Sequence, residues 1–167
     1  MEKWILFSLF IFSVFIFARA FSFFAIHYSM YFQRDKMCIE RIVKQQKASD
    51  FLNASYQLFI SIIGLILITA CVMIMFNANC IKLFKLSSIS LILLCYIIFF
   101  IIKYKIESMY DLHNFYVEMI DYRSKQEVVT QDNDNEVSFI KSYEKILKHK
   151  KIINIWVILA LCILIWV

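Results

Sequence analysis

Four long apolar blocks separated by charged stretches constrain this chain more than any other feature of its sequence. The blocks run over about Trp4–Ile26, Leu58–Phe76, Leu86–Ile102 and Ile152–Val167. A soluble core spreads its apolar residues along one face of each element, whereas a membrane-crossing helix needs a continuous run of about 20, with about 17 as the lower end. The sequence therefore predicts an integral membrane protein with four transmembrane helices.

Two of these blocks allow a second interpretation. The last block has only 16 residues, so three spans followed by a re-entrant segment are the alternative count. The first block resembles a secretory signal peptide, with Ala18-Arg19-Ala20 as a small-x-small cleavage site. Because the apolar run continues past this site through Ile26, we predict an uncleaved span.

The near absence of Pro and Gly favours straight helices. The chain has no Pro and a single Gly, Gly64. Both residues break or kink helices, and transporters whose sites lie at broken helices use them. β-Hairpins also depend on such turn residues, and a membrane barrel would show short segments of alternating polarity. The predicted fold class is an all-α membrane protein, with residues 1–167 forming one domain.

The distribution of Lys and Arg predicts the orientation of the chain. With four spans, Tyr28–Gln57 and Lys103–Lys151 lie on one side and carry 14 basic residues, whereas the other side carries three. Cytoplasmic segments are enriched in Lys and Arg. We therefore expect both long connections in the cytoplasm and both termini outside, in a bacterial inner membrane. The net charge of +5 follows from this topology, so no nucleic-acid partner is expected.

The second connection has the pattern of a helical stem. Its apolar and aromatic positions recur at three- and four-residue steps, as on one helical face: Ile106, Met109, Tyr110, His113, Tyr116, Val117 and Ile120. We expect the third span to continue as one helix to about Lys125. A polar turn is predicted at 128–136, and a return helix should begin near Asn135, a suitable N-cap.

The first connection has a shorter version of the same pattern. It predicts a descending stem marked by Met37, Ile39, Ile42 and Val43, a polar tip at Lys44–Ala48, and Ser49 or Asp50 as the N-cap of the next helix. The four transmembrane helices are thus predicted to form two helical hairpins. Their long helices would extend into the cytoplasm at residues 28–57 and 103–151.

Arg19 is the charged residue placed deepest in a predicted span. No acidic residue lies inside any of the four spans, and an ionised group at that depth costs about 2.5–3.5 kcal/mol on insertion scales. Ser8 and Ser22 fall on roughly the same helical face. One hypothesis is a polar path or subunit interface formed by Arg19, Ser22 and Ser8. The alternative is that Arg19 extends to the cytoplasmic headgroups.

A basic run borders the last span on its cytoplasmic side. Its candidate lipid-headgroup contacts are Lys148, Lys150 and Lys151, since such clusters attract anionic lipids. A topology signal requires the same residues and is the alternative explanation. The segment Glu107–Glu136 is net acidic instead and is a candidate partner surface. The residues predicted to face a partner on the stem are Tyr110, His113, Tyr116 and Tyr143. Here an ordinary solvated helix face is the alternative.

The sequence contains no recognisable catalytic motif. It has no Gly-rich phosphate loop, nucleophile elbow or zinc-protease helix motif. The five Cys lack CxxC spacing and the three His lie far apart, so no zinc set is predicted. The acidic run Asp132–Glu136 lacks the Gly and spaced Glu of a calcium loop. We therefore predict no enzyme activity, no cofactor and no metal.

The sequence is compatible with three classes of function. The first is a membrane subunit that self-associates or docks a cytoplasmic protein through its stems, as a sensor, assembly or immunity component. The second is a gated ion channel or pore-forming effector with Arg19 near the polar path. An integral-membrane enzyme is the third, although His27, His113 and His149 lack convincing partners. The layout resembles small four-pass membrane subunits of bacterial defence and toxin–immunity systems, in architecture alone.

Overall fold

The chain folds into a helical bundle. The computed structural model describes residues 2–32, 41–76, 81–125 and 134–166. These residues form five α-helices: α1 (Glu2–Phe32), α2 (Arg41–Met75), α3 (Ile81–Tyr110), α4 (Leu112–Lys125) and α5 (Asp134–Trp166). All except α4 contain a segment long and apolar enough to cross a membrane. The all-α fold and the four membrane-length helices predicted from the apolar blocks are therefore confirmed.

Helix α2 lies at the centre of the bundle. It packs extensively on α1, on α5 and on α3, whereas α5 makes few contacts with α3 and α4. Helix α5 therefore packs mainly against α2 rather than against α4, the helix that precedes it in the chain. The predicted arrangement as two helical hairpins is not confirmed: α1 and α2 pack on each other, but α5 packs more on α2 than on α3.

A consecutive buried segment explains the central position of α2. All six residues of Phe51–Tyr56 are buried, although a helix with one packed face would bury only about half of them. Small side chains are frequent here, including Ala48, Ser49, Ala54 and Ser55. Small residues allow neighbouring helix backbones to approach closely when helices pack in a membrane. This segment is therefore suited to contact several helices at once.

Helix α1 is attached to the bundle along a narrow strip. Two small residues seven positions apart, Ser13 and Ala20, are buried, and the Phe24 ring lies 5.5 Å from that of Phe51 on α2. Most large apolar side chains of α1 are exposed, among them Trp4, Phe12, Phe15 and Phe21. An exposed apolar surface of this extent is suited to lipid.

The predicted polar tip of the first connection is wrong. Helix α2 begins at Arg41 and runs through Lys44–Ala48, so Ser49 and Asp50 are interior residues of the helix rather than N-caps. Gln45, Ala48 and Ser49 are buried, which shows that packing against neighbouring helices overrides the polar composition of this stretch. The predicted stem residues Met37 and Ile39 lie outside the described residues.

The prediction of one unbroken helix to Lys125 is also wrong. Asp111 has φ of 46° and separates α3 from α4. Helical hydrogen bonds nevertheless cross the break, because the Asp111 amide donates to the Glu107 carbonyl and the Phe115 amide to the Asp111 carbonyl. Asp111 therefore interrupts the helix at a single residue, without an intervening loop. Most of the predicted turn at 128–136 lies outside the described residues, and α5 begins one residue before Asn135.

Candidate functional site

A groove opens between α1, α2 and α5. Its volume is about 740 Å³. Helix α1 contributes one stripe of residues at three- and four-residue steps, and α2 and α5 form the opposite side. The described residues that line it are Ile16, Arg19, Ala20, Ser22, Phe23, Ile26, Gln57, Ile60, Ser61 and His149. An ionisable side chain of α1 thus shares a concave surface with polar groups of two other helices.

Hydrogen bonds within the helices leave few polar groups in the groove to contact a ligand as donors. The Ser22 hydroxyl donates to the Ala18 carbonyl at 2.9 Å, and the Ser61 hydroxyl donates to the Leu58 carbonyl at 2.7 Å. Both hydroxyls therefore have their protons engaged. The remaining donors come from Arg19, Gln57 and His149, so the groove has the chemistry of a site for an acceptor-rich or anionic group.

Two of these groups have no protein partner in the described part of the chain. No carboxylate of the described residues lies within 4.0 Å of the Arg19 guanidinium. The Nδ1 atom of His149 is buried, and it makes no hydrogen bond to any described residue. A guanidinium and a buried imidazole nitrogen normally have partners. The groove therefore contains polar groups that lack hydrogen-bond or ion-pair partners within the described residues.

The structure brings together only part of the polar path predicted from the sequence. Arg19 and Ser22 line the same groove. Ser8 lies in a separate depression beside Trp4 and Phe12, and its hydroxyl donates to the Trp4 carbonyl. Eleven residues of helix place it about 16 Å from Arg19 along the axis. Gln57 and His149, which the sequence analysis did not assign to the path, occupy the place beside Arg19 instead.

The stem residues predicted to face a partner are largely occupied by contacts within the chain. Tyr143 is only 3% exposed, with its ring 4.9 Å from that of Tyr116 and 6.5 Å from that of His113. The Tyr110 carbonyl accepts a hydrogen bond from Gln45. The ring contacts hold α4 against α5, and the hydrogen bond holds the end of α3 against α2. Burial, together with the negative charge of Glu144, raises the pKa of Tyr116 above its usual value, so this phenol stays neutral at physiological pH.

Polar side chains tie α2 to α5 on this side of the bundle. The Gln46 amide donates to the Ser138 hydroxyl at 2.6 Å, and the Ser142 hydroxyl donates to the Asp50 carboxylate at 2.7 Å. On α4, the Glu118 carboxylate lies 3.9 Å from Arg41, whose guanidinium stacks over Phe115 at 5.2 Å. We call this region, where the first turns of α2 and α5 meet α4, the charged end.

A buried polar stripe runs along α2 from the charged end. Its members are Gln45, Ser49, Asn53 and Tyr56, spaced four, four and three residues apart. Each is buried and carries one side-chain oxygen that makes no hydrogen bond to any described residue. The Tyr56 ring lies 6.0 Å from that of His149, so the stripe reaches the groove. The regular spacing is present in the sequence. It was not recognised there because Lys44–Ala48 was predicted as a polar tip and Ser49 or Asp50 as an N-cap.

Neither a metal site nor a known relative accounts for these features. Within the described ranges, no three His, Cys, Asp or Glu side chains lie close enough to hold a metal ion. No model of a known protein family matches the chain, and no curated protein or solved structure matches it.

Proposed function

We propose that the protein is a non-enzymatic membrane subunit that docks a cytoplasmic protein through the outer face of α4. The observation that carries this proposal is an exposed strip, hereafter the outer strip, formed by Val117 and Ile120. Val117 and Ile120 are 51% and 43% exposed, although α4 is the one described helix without a membrane-length apolar segment. Large apolar side chains exposed to water at helical spacing favour a protein partner.

The packed inner face of α4 supports this proposal. Its inner face is buried through Leu112 and Phe115, with the Phe115 ring 5.0 Å from that of Phe139 on α5. A surface that is already ordered loses little conformational entropy when a partner binds. The bundle therefore presents the outer strip in a fixed position.

Charge indicates the chemistry of the partner. Glu118 and Asp121 are exposed on α4, and helical spacing places Asp121 directly beside Val117. The complementary partner has an apolar patch edged by Lys or Arg. The excess of basic residues in both long connections supports a cytoplasmic position for this end of the bundle. We propose that both termini lie outside and that the membrane is a bacterial inner membrane. A homo-oligomer would display several such strips.

Site-specific photo-crosslinking in cells tests this proposal. A photoreactive amino acid at Val117 is expected to form an adduct with a second, different polypeptide. The same reagent at Lys141, an exposed residue of α5, serves as the control and should give little adduct. Ile120→Asp should abolish the Val117 adduct, because it places a charge in the apolar contact.

Three outcomes would contradict the docking function. These are no adduct at Val117, adducts of equal yield at Val117 and Lys141, or adducts between copies of this chain alone. The last result would instead identify the outer strip as a surface for self-association.

The buried polar stripe favours an ion channel or pore as the second candidate. Gln45, Ser49, Asn53 and Tyr56 line about 16 Å of α2 by helical rise and lead toward His149 and the groove of Arg19. Buried oxygens without protein partners are commonly hydrogen-bonded to water. A water-filled path lined by polar groups is what an ion needs to pass through a helical bundle. In this function, a ring of identical subunits would place Arg19 beside the path.

A further inference from the structure

Arg19 lies in a helix that is apolar enough to cross a membrane, and its charge requires compensation. No carboxylate of the described residues pairs with it, and Ser22 and Ser61 in the same groove donate their protons within their own helices. An unpaired guanidinium is expensive at membrane depth. The groove therefore calls for an anion supplied from outside the chain.

The geometry of the groove indicates which anion. Arg19, Gln57 and His149 supply donors, and a guanidinium binds a phosphate through two parallel hydrogen bonds. The rest of the lining is mainly apolar, with Ile16, Phe23, Ile26 and Ile60 among its residues. A free phosphate ion gains nothing from contact with such an apolar surface, whereas the acyl chain of a lipid is stabilised by it.

The position of His149 gives the depth of the site. This residue stands within the basic run, between Lys148 and Lys150, both exposed, and it lines the same groove as Arg19. Arg19 and the basic run therefore lie at a similar level along the bundle. Such a run concentrates anionic lipids at the membrane surface, which delivers the headgroup to the level of the groove.

We propose that the groove between α1, α2 and α5 binds one anionic phospholipid, with its phosphate held by Arg19, Gln57 and His149 and an acyl chain along the apolar wall. This site is independent of the outer strip of α4. It also explains why α1 carries a charged side chain, Arg19, on the face that lies beside α2 and α5.

Native mass spectrometry of the purified full chain tests the site. The protein is equilibrated with phosphatidylglycerol or with phosphatidylcholine of identical acyl chains, and retained lipid is counted per protein. We expect one phosphatidylglycerol retained in preference to phosphatidylcholine. Arg19→Gln should lower its affinity about tenfold, the effect of losing charge-assisted hydrogen bonds. Lys105→Gln, which removes one charge from the exposed surface of α3 outside the groove, should change it less than about twofold.

Equal losses in Arg19→Gln and Lys105→Gln would overturn the proposal, because they would indicate attraction by surface charge alone. Unchanged affinity in a folded Arg19→Gln variant would overturn it as well. If that variant does not fold, the native protein decides: equal retention of both lipids, or displacement of phosphatidylglycerol by excess inorganic phosphate, contradicts a lipid site. Preference for phosphatidylglycerol that survives inorganic phosphate supports it.

Discussion

At the scale of single residues, aromatic side chains join the helices at the charged end. Tyr143 of α5 contacts Tyr116 of α4 and lies 6.0 Å from the ring of Phe139. Large rings bury much apolar area, and aromatic pairs add further stabilisation through their geometry. Tyr143 is therefore a main contact by which α4, and with it the outer strip, is held on the bundle.

Replacing Tyr143 is expected to loosen this contact. Tyr143→Ala should lower the free energy of unfolding by about 3 kcal/mol, since it leaves a cavity where a buried ring was. Tyr104→Ala is the matched control, because Tyr104 is 71% exposed, and its effect should stay below about 0.5 kcal/mol. Denaturant unfolding of the purified protein in detergent measures both. Equal effects would show that Tyr143 is not part of a packed contact.

Two residues of the groove could be predicted from the sequence, and two others could not. The depth of Arg19 and its shared face with Ser22 follow from helical spacing alone, and both residues line one groove. Gln57 and His149 come from helices whose positions around α1 depend on packing. Spacing within one helix cannot identify neighbours from another helix, so these two residues could be found only from the structure.

At the scale of helices, the direction of α4 depends on one backbone conformation. Asp111 adopts a left-handed φ of 46°, which most residues with a Cβ atom avoid. Its carboxylate accepts hydrogen bonds from the Asn114 amide at 2.9 and 3.1 Å. Asp and Asn tolerate this conformation better than other non-Gly residues for such reasons. Asp111 therefore sets the direction in which α4 leaves α3.

A β-branched residue at this position should disturb α4. Asp111→Val is expected to destabilise the protein by about 1–2 kcal/mol and to increase amide hydrogen exchange throughout α4. Asp111→Asn should retain near-native stability, because Asn also tolerates a left-handed φ. Ser108→Val, at an exposed position within regular helix, should cost only about 0.5 kcal/mol. Hydrogen exchange in α4 that is unchanged by Asp111→Val would rule out this role.

Composition predicted some helix boundaries well and others badly. The four membrane-length helices follow from continuous apolar runs, whose physical requirement leaves few alternatives. The start of α2 could not be found in this way, because Lys44–Ala48 is polar yet Gln45 and Ala48 are buried. The break at Asp111 was missed for another reason: the apolar spacing continues across it, and no Gly or Pro stands there.

At the scale of the whole molecule, the arrangement around α2 places two unusual features in one bundle. The polar stripe lies inside the bundle, and the groove of Arg19 lies on its side; Tyr56 and His149 connect them. Sequence reasoning could not have predicted this arrangement, since the order of helices around α2 follows from packing rather than from chain order. Only the channel function requires ions to pass along these features.

Ion flux from liposomes tests the channel function. If the protein conducts, Asn53→Leu should reduce flux at least about tenfold, because it replaces the middle of the polar stripe by an apolar barrier. Arg19→Glu should reverse the preference between anions and cations, and Arg19→Ala should weaken it. Lys82→Gln, on the exposed surface of α3, is the control and should leave flux unchanged. Native protein without flux, or flux insensitive to Asn53→Leu, would count against conduction.

The central position of α2 also imposes an order on assembly. During synthesis α2 leaves the ribosome directly after α1, so these two helices can pack together early, whereas α5 emerges after α2, α3 and α4. Until α5 docks, Asp50 and Gln46 lack Ser142 and Ser138, and the groove has only two of its three helices. A chain stopped before α5 would therefore leave these polar groups unpaired and the face of α2 that packs on α5 uncovered. Cellular proteases can distinguish unfinished from finished molecules by surfaces of this kind.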